Sequence, residues 1–448
     1  MNIFEKYALQ TPNILIPNEK VDLSLWSVVA CDQYTQDKHY WDTISSITNG
    51  LYSTRHIILP EVYLSHFSEE QRKNEVIRIQ ENMNHYLDAG VFDSPVSSMM
   101  YIERKTSYGR MRKGIVTSID LEKYDWQPSS KAEIRATEAT VVDRLPPRME
   151  IRQGASLELP HIMLLVNDAD NILIEEIGRC IHETGESPLY NFALMMESGS
   201  ITGWTISEEI SINIMKDALE VLYKKNTGED GSIFMFAIGD GNHSLAAAKS
   251  VWEKYKQKSG GMLLENGFFS IPKSIENHPL RYALVEIVNL YDPGLTFEPI
   301  HRILFNTDIK KLIHFVQLKL GGLTVKCKDE EELIQKIKSS SSSFGFVSKT
   351  EGFICLETKL NCLAVSALQP VLDEFIDSEK QIDYIHGALD AINLSETDGT
   401  VSVILPPISK MSFFSTIAKY GSLPRKSFSM GEASEKRFYL ECRKLTID

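Results

Sequence analysis

The eleven residues Gly239–Lys249 read GDGNHSLAAAK, and they constrain this chain more than any other stretch. They follow Ser232–Ile238 (SIFMFAI), an apolar run of strand length, and lead into an alanine-rich run of helical character. A buried strand, a turn with two glycines and a helix opening on Asn-His-Ser aim backbone N–H groups and an imidazole at one point. The start of a helix favours anions through its unpaired amides and its dipole. Asp240 and His243 add proton-handling groups beside it.

In the functional reading, Gly239 and Gly241 let the backbone approach a phosphate, and the amides of Asn242, His243 and Ser244 donate to it. His243 stabilises charge or moves a proton. Asp240 serves as a base or helps to hold magnesium. The same residues also suit a plain strand-to-helix turn in which Asp240 or Asn242 caps the helix. Capping accounts for the Asp and the Asn. It does not call for Asn, His and Ser in succession after two glycines.

Other polar residues qualify as partners. LWSVVACDQY (Leu25–Tyr34) reads as a buried strand ending at Cys31-Asp32, where α/β sheets place site residues, although an Asx turn explains Asp32 equally well. Arg144, Arg148 and Arg152 are spaced by four, with Glu138 upstream. Pro146-Pro147 interrupts that line and leaves Arg148 and Arg152 as a pair for phosphate or carboxylate, or for Glu150 and Glu158. His301-Arg302 can supply a cation or be a surface pair. Lys410, Arg425 and Lys426 lie in a basic C-terminal stretch that closes over an anion or forms a surface loop. Histidines spaced as His-x-x-x-His, Cys-x-x-Cys pairs, a GxxxxGK[ST] loop and a GxSxG elbow are all missing from the sequence, which argues against structural zinc, a P-loop enzyme and an α/β-hydrolase elbow.

Size and charge bound the rest. A chain of 448 residues, 43% of them hydrophobic, has enough apolar material for two or three subdomains. A net charge of -14 argues against a broad nucleic-acid or anionic-lipid surface. Six dispersed cysteines suit a reducing compartment. The opening MNIFEKYALQTPNILIP lacks the pattern of a leader, and no apolar run has membrane-spanning length. The expectation is a cytoplasmic protein.

Along the chain, 1–130 reads as an N-terminal α+β region, 131–302 as a central region carrying the GDGNHS turn, 303–375 as a small α+β subdomain and 376–448 as a C-terminal segment on the main body. A helix is expected over Phe67–Ala89, with Ser68 and Gln71 as a capping box. Helical character is also read in Lys131–Leu145, Thr205–Tyr223 (capped by Thr205 and Glu208), Ile309–Leu320 and Tyr384–Leu394. Strands are read at His161–Val166, Tyr282–Leu290 and Leu323–Cys327, and a last one near Arg437–Cys442. The fold class is α+β: mixed sheets flanked by helices, with a small α+β subdomain inserted in the C-terminal third.

GDGNHSLAAAK occurs in order with LWSVVACDQYTQDKHYW, VEIVNLYDPGLTFEPIHRILF and LPPISKMSFFSTIAKYGSLPRKSF. Together these stretches resemble domain-of-unknown-function family 1015, from about Trp26 to Tyr439. Many members carry Asp-Gly-His-His-Arg at the turn. Here it is Asp240-Gly241-Asn242-His243-Ser244, so the second histidine is kept and no arginine is present for a phosphate clamp. That type of turn is similar to the one in ParB and sulfiredoxin-like folds, including a free serine kinase, which implies nucleotide phosphates at the helix start.

The function expected is an enzyme that binds a nucleotide or phosphorylated small molecule. Its most concrete form is phosphoryl transfer to a small hydroxy metabolite such as free serine, with Asp240, His243 and Asp32 catalytic and magnesium arriving with the nucleotide. The alternative is a non-catalytic nucleotide or metabolite sensor that binds a protein partner.

Overall fold

The computed structural model describes residues 3–446 except 65, 141, 143–144 and 377–380. The chain forms two compact units. The first comprises 1–136, 140–295 and 432–448, and the second 137–139 and 296–431.

The first unit is built on a large mixed sheet. Its labelled elements are α1 (Glu69–Asp88), β1 (Met99–Lys105), β2 (Met111–Asp120), α2 (Leu145–Gln153), β3 (Met163–Val166), α3 (Ile174–Thr184), β4 (Tyr190–Ala193), β5 (Ser200–Ile206), α4 (Glu209–Lys225), β6 (Phe236–Asp240), α5 (Asn242–Lys258) and β7 (Tyr282–Asn289). The strand order is β4-β5-β1-β2-β7-β3-β6, followed by the short strands Ile134–Arg135 and Tyr124–Asp125. β7 and β3 are parallel, and β3 and β6 are antiparallel. β7 is buried at every position, including Glu286. The space for that carboxylate comes from Gly114 in β2, where a Cβ would lie 2.8 Å from Glu286 Oε1.

The capping box of α1 forms as its sequence implies: Ser68 Oγ accepts the Gln71 amide at 3.2 Å, and the Gln71 side chain accepts the Ser68 amide at 2.8 Å. Elsewhere the structure departs from the expected elements. Leu23–Trp26 is a helical turn capped by Asp22, the short stretch after it pairs only through the Val29 bridge, and Cys31-Asp32 already stand in a turn rather than ending a strand. Most of Lys131–Leu145 is not helical, because Ile134–Arg135 adds a strand beside β6. Pro146-Pro147 opens α2 rather than breaking a helix, since the first turn has amides that no helical carbonyl uses. Thr205 pairs with Met100 in the sheet, and α4 starts at Glu209. Arg437–Cys442 is extended but makes isolated bridges (Val29 with Phe438, Leu15 with Cys442) instead of a regular strand.

The second unit contains β8 (His301–Phe305), α6 (Ile309–Leu320), β9 (Leu323–Cys327), α7 (Glu330–Lys338), β10 (Ser343–Ser348), β11 (Gly352–Glu357), α8 (Ala364–Phe375), β12 (Gln381–Ile385), α9 (Ala388–Leu394), β13 (Val401–Ile404) and α10 (Lys410–Tyr420). Its sheet is antiparallel, in the order β9-β11-β10-β13-β8-β12. Side chains alternate between its faces. Leu304, Phe346 and Val403 join α6 and α8 on one face. Ile303, Val347 and Ile404 join α7 and α9 on the other. Tyr384 stands in β12 rather than in a helix, because Gln381–Ile385 completes the edge of this sheet beside β8.

Candidate active site

The turn after β6 is a strand-to-helix bend. Asp240 is the last residue of β6, Gly241 adopts φ +85°, and α5 begins at Asn242. Only glycine suits this place, because a Cβ would need the left-handed region and would sit 3.0 Å from Ile162 Cγ1. Gly241 has no side chain with which to cap the helix. Asp240 Oδ1 accepts the Gly241 amide at 3.0 Å, and its Oδ2 lies 3.2 Å from Lys436 Nζ. Gly239, Asn242 and His243 are half-buried around the bend.

Ser244, in the first turn of α5, points to a histidine. Its Oγ is 2.8 Å from His161 Nε2. His161 Nδ1 is 3.1 Å from the Tyr439 hydroxyl, and that oxygen accepts the Cys31 amide at 3.3 Å. A phenol has one proton to donate. With that proton turned away from the imidazole, the phenol oxygen accepts Nδ1–H and His161 Nε2 accepts the Ser244 hydroxyl; with it on Nδ1, Nε2–H donates to Ser244 instead. Burial keeps His161 neutral by pushing its pKa down, against Asp32 and Asp240, which raise it. Burial pushes Asp32 up, but the Gln33 amide and the charges of Arg148 and Lys436 act against it, and the carboxyl is held below its ordinary value. Burial and the neighbouring Asp32 push the Cys31 thiol up to about 11, so it stays protonated.

A cavity of about 140 Å³ adjoins this chain of groups. Cys31, His161, Ser244 and Tyr439 line it, together with Glu61, Arg148, Arg152 and Glu158. Arg148 and Arg152 share α2, as their spacing suggests. Arg148 is paired with Glu61, and Arg152 with Glu158 at 2.5 Å. Glu150 turns away to Arg72, 3.2 Å off. Arg144 lies outside the described residues.

Within the first unit, the fold thus gathers Asp32, Arg148, Asp240 and Ser244 around His161. Other predicted residues belong to the second unit. His301 Nδ1 accepts the Leu405 amide at 3.2 Å. Arg302 donates to Gln369 at 3.0 Å and to the Ile300 carbonyl, with Tyr384 stacked 5.2 Å away. Glu138 accepts the amides of Lys426 and Ser427, and burial raises its pKa. Arg425 stands 5.9 Å from the Tyr384 ring, and Lys410 opens α10.

Sequence reasoning missed His161, Glu61, Lys436 and Tyr439. Strand register explains the place of His161. Asp240 pairs with Met163 in antiparallel β3, so a residue two places before Met163 must stand beside the bend. No such register places Tyr439 and Lys436, because Val28 and Ala30 bring them in by backbone bonds from the other end of the chain.

Among the described residues, no group of three His, Cys, Asp or Glu side chains is arranged to hold a metal ion, and no helix is long and apolar enough to cross a membrane. The family model described as "Protein of unknown function (DUF1015)" matches residues 13–379. The chain belongs to this family. No curated protein matches the sequence. Similar solved structures include a conserved hypothetical protein from Pyrococcus furiosus, at 14% identity over 72% of this chain and 90% of that one, with a TM-score of 0.35. Free serine kinase in complex with AMP is 13% identical over 74% and 92%, with a TM-score of 0.39. SbnI with a C-terminal truncation, from Staphylococcus aureus, is 8% identical over 71% and 82%, with a TM-score of 0.36. Likenesses this loose carry nothing about the chemistry of the family member described here.

Proposed function

We propose that the protein is an enzyme that binds a nucleotide or phosphorylated small molecule at the start of α5 and transfers a phosphoryl group to a small hydroxy metabolite. The observation that supports this reading is the Ser244–His161 contact. It sets a neutral proton acceptor against the first turn of a 17-residue helix that Gly241 leaves without a side-chain cap. Helix amides and dipole favour phosphate there, and Lys436 adds a cation beside Asp240.

The acceptor hydroxyl gives its proton to Ser244 Oγ, whose own proton passes to His161 Nε2. The acceptor oxygen forms the new P–O bond as the bond to the donor's bridging oxygen breaks, and the electron pair leaves on the nucleoside diphosphate. Such transfers depend on positioning and charge neutralisation. Asp32, held ionised, and Asp240 are the carboxylates that suit a magnesium ion arriving with the nucleotide, since magnesium needs only one or two from the protein.

Calorimetric titration with ATP, ADP, CTP and pyrophosphate in magnesium tests the binding step. Heat from at least one is expected, and no heat from any overturns the reading. Product analysis with serine and other hydroxy compounds tests the transfer, with His161→Ala expected to bind and not turn over. Wild-type binding with no product for any acceptor would instead establish a sensor.

A further inference from the structure

The cavity beside His161 has a character that phosphate transfer alone does not require. Its α5 wall is Ser244, Ala247 and Ala248, three residues on one helical face, two of them short enough to leave space. Ile57, Leu59, Ile151, Leu157 and Leu284 supply much of the remaining lining. The charged groups that reach it are closed on one another. Glu61 holds Arg148, while Glu158 holds Arg152 and Arg443 and accepts the Leu284 amide at 3.1 Å. An anion placed inside would have to break one of these pairs at a half-buried site, which is costly. The uncharged polar groups form one connected patch, Cys31–Tyr439–His161–Ser244. A volume near 140 Å³ is about that of the engineered apolar cavity of ~150 Å³ that takes up benzene.

We infer that this cavity is the acceptor subsite and takes a compact apolar group, so that the preferred substrate is a hydroxy compound with a branched aliphatic or aromatic body of up to benzene size. This rests on the phosphoryl-transfer reading of the same site. The apolar body fills the space against Ala247 and Ala248, and the hydroxyl lies at Ser244 and His161. Phosphate stays outside the cavity, at the bend with Lys436. A bare serine would leave most of the apolar lining unused.

The test is binding of benzyl alcohol, 3-methyl-1-butanol, ethanol and serine to the whole protein, followed by ligand-observed NMR. Each methylene taken up is expected to strengthen binding about fourfold, so 3-methyl-1-butanol, with three carbons more than ethanol, should bind about 60-fold more tightly than ethanol, benzyl alcohol at least as tightly as 3-methyl-1-butanol, and serine no more tightly than ethanol. Ala248→Phe fills the space and should lower the affinity of the first two at least about tenfold. Ala247→Leu serves the same purpose should the first variant fail to fold, with thermal melting as the control. Serine binding as tightly as benzyl alcohol, or apolar alcohols binding equally to wild type and to a folded filled variant, overturns the inference. Nucleotide binding without apolar-alcohol binding defeats the subsite alone. Apolar-alcohol binding without any nucleotide binding upholds an apolar pocket and defeats the phosphoryl-transfer reading.

Discussion

Replacing Gly241 by alanine is the sharpest perturbation of the site, because two independent costs fall on one methyl group. An L-residue at φ +85° costs about 1–2 kcal/mol. The added Cβ would stand 3.0 Å from Ile162 Cγ1 and 3.1 Å from its Cα. The second contact is with backbone, so rotating a side chain cannot relieve it, and overpacking of this kind adds about 1–3 kcal/mol. The sum is a destabilisation of about 3 kcal/mol. Ile162 directly follows His161, so the same push should loosen the contact between His161 and Ser244. All five tryptophans lie in the first unit, so urea unfolding followed by tryptophan fluorescence reports that unit directly. Gly241→Asn separates the two costs: asparagine tolerates positive φ but keeps the Cβ, and should cost about 1 kcal/mol less than alanine. In both variants the imidazole titration of His161, read by NMR, should move up toward its ordinary value as its packing opens. An alanine variant within about 0.5 kcal/mol of wild type, with an unchanged His161 titration, would refute the account of the bend.

His301 makes the second unit acid-sensitive. Burial, then the charges of Arg302 and His386, lower its pKa to about 4. The unfolded chain takes up the proton near pH 6.5, so between the two values it binds more protons than the folded unit, and stability rises with pH. About 3 kcal/mol should therefore be lost as pH falls from 6.5 to 4, with no slope above 6.5 from this residue. Amide exchange in β8 and β13 measures it, and an unchanged slope in His301→Phe would count against it. Glu286 is fully buried, 3.1 Å from Arg437 and 3.4 Å from Arg112. Glu286→Gln removes the charge from beneath both and should cost the first unit about 3–5 kcal/mol by tryptophan-detected urea unfolding; a loss under about 1 kcal/mol would show that Glu441 and the Glu435 carbonyl suffice.

Much of the fold was legible where a segment's own pattern settles its state. Ile309–Leu320 and Leu323–Cys327 have the predicted bounds, since Asp308 caps the helix and Gly321 ends it. The helix of Ser68 and Gln71 carries its start signal in four residues. The β6–Gly241–α5 bend was likewise written locally, because an apolar run, a glycine at positive φ and an alanine-rich helix are all short-range features. Two misreadings fell where a distant strand claimed the segment. Ile134–Arg135 and Tyr384 lie in stretches of helical character, and strand pairing took both, the first between β6 and Tyr124–Asp125 and the second at the edge beside β8.

The candidate site divides along the same line. Sequence alone determined that a strand-to-helix bend exists at 239–244, and that Asp240 and Ser244 stand on it, because covalent neighbours cannot be far apart. Only the tertiary structure decided that the His161 imidazole stands against it. His161 is 83 residues from Ser244 and Tyr439 is 278 from His161. Contacts over such separations follow from strand order and burial, which are collective properties of the whole chain and leave no spacing for a reader of sequence to find.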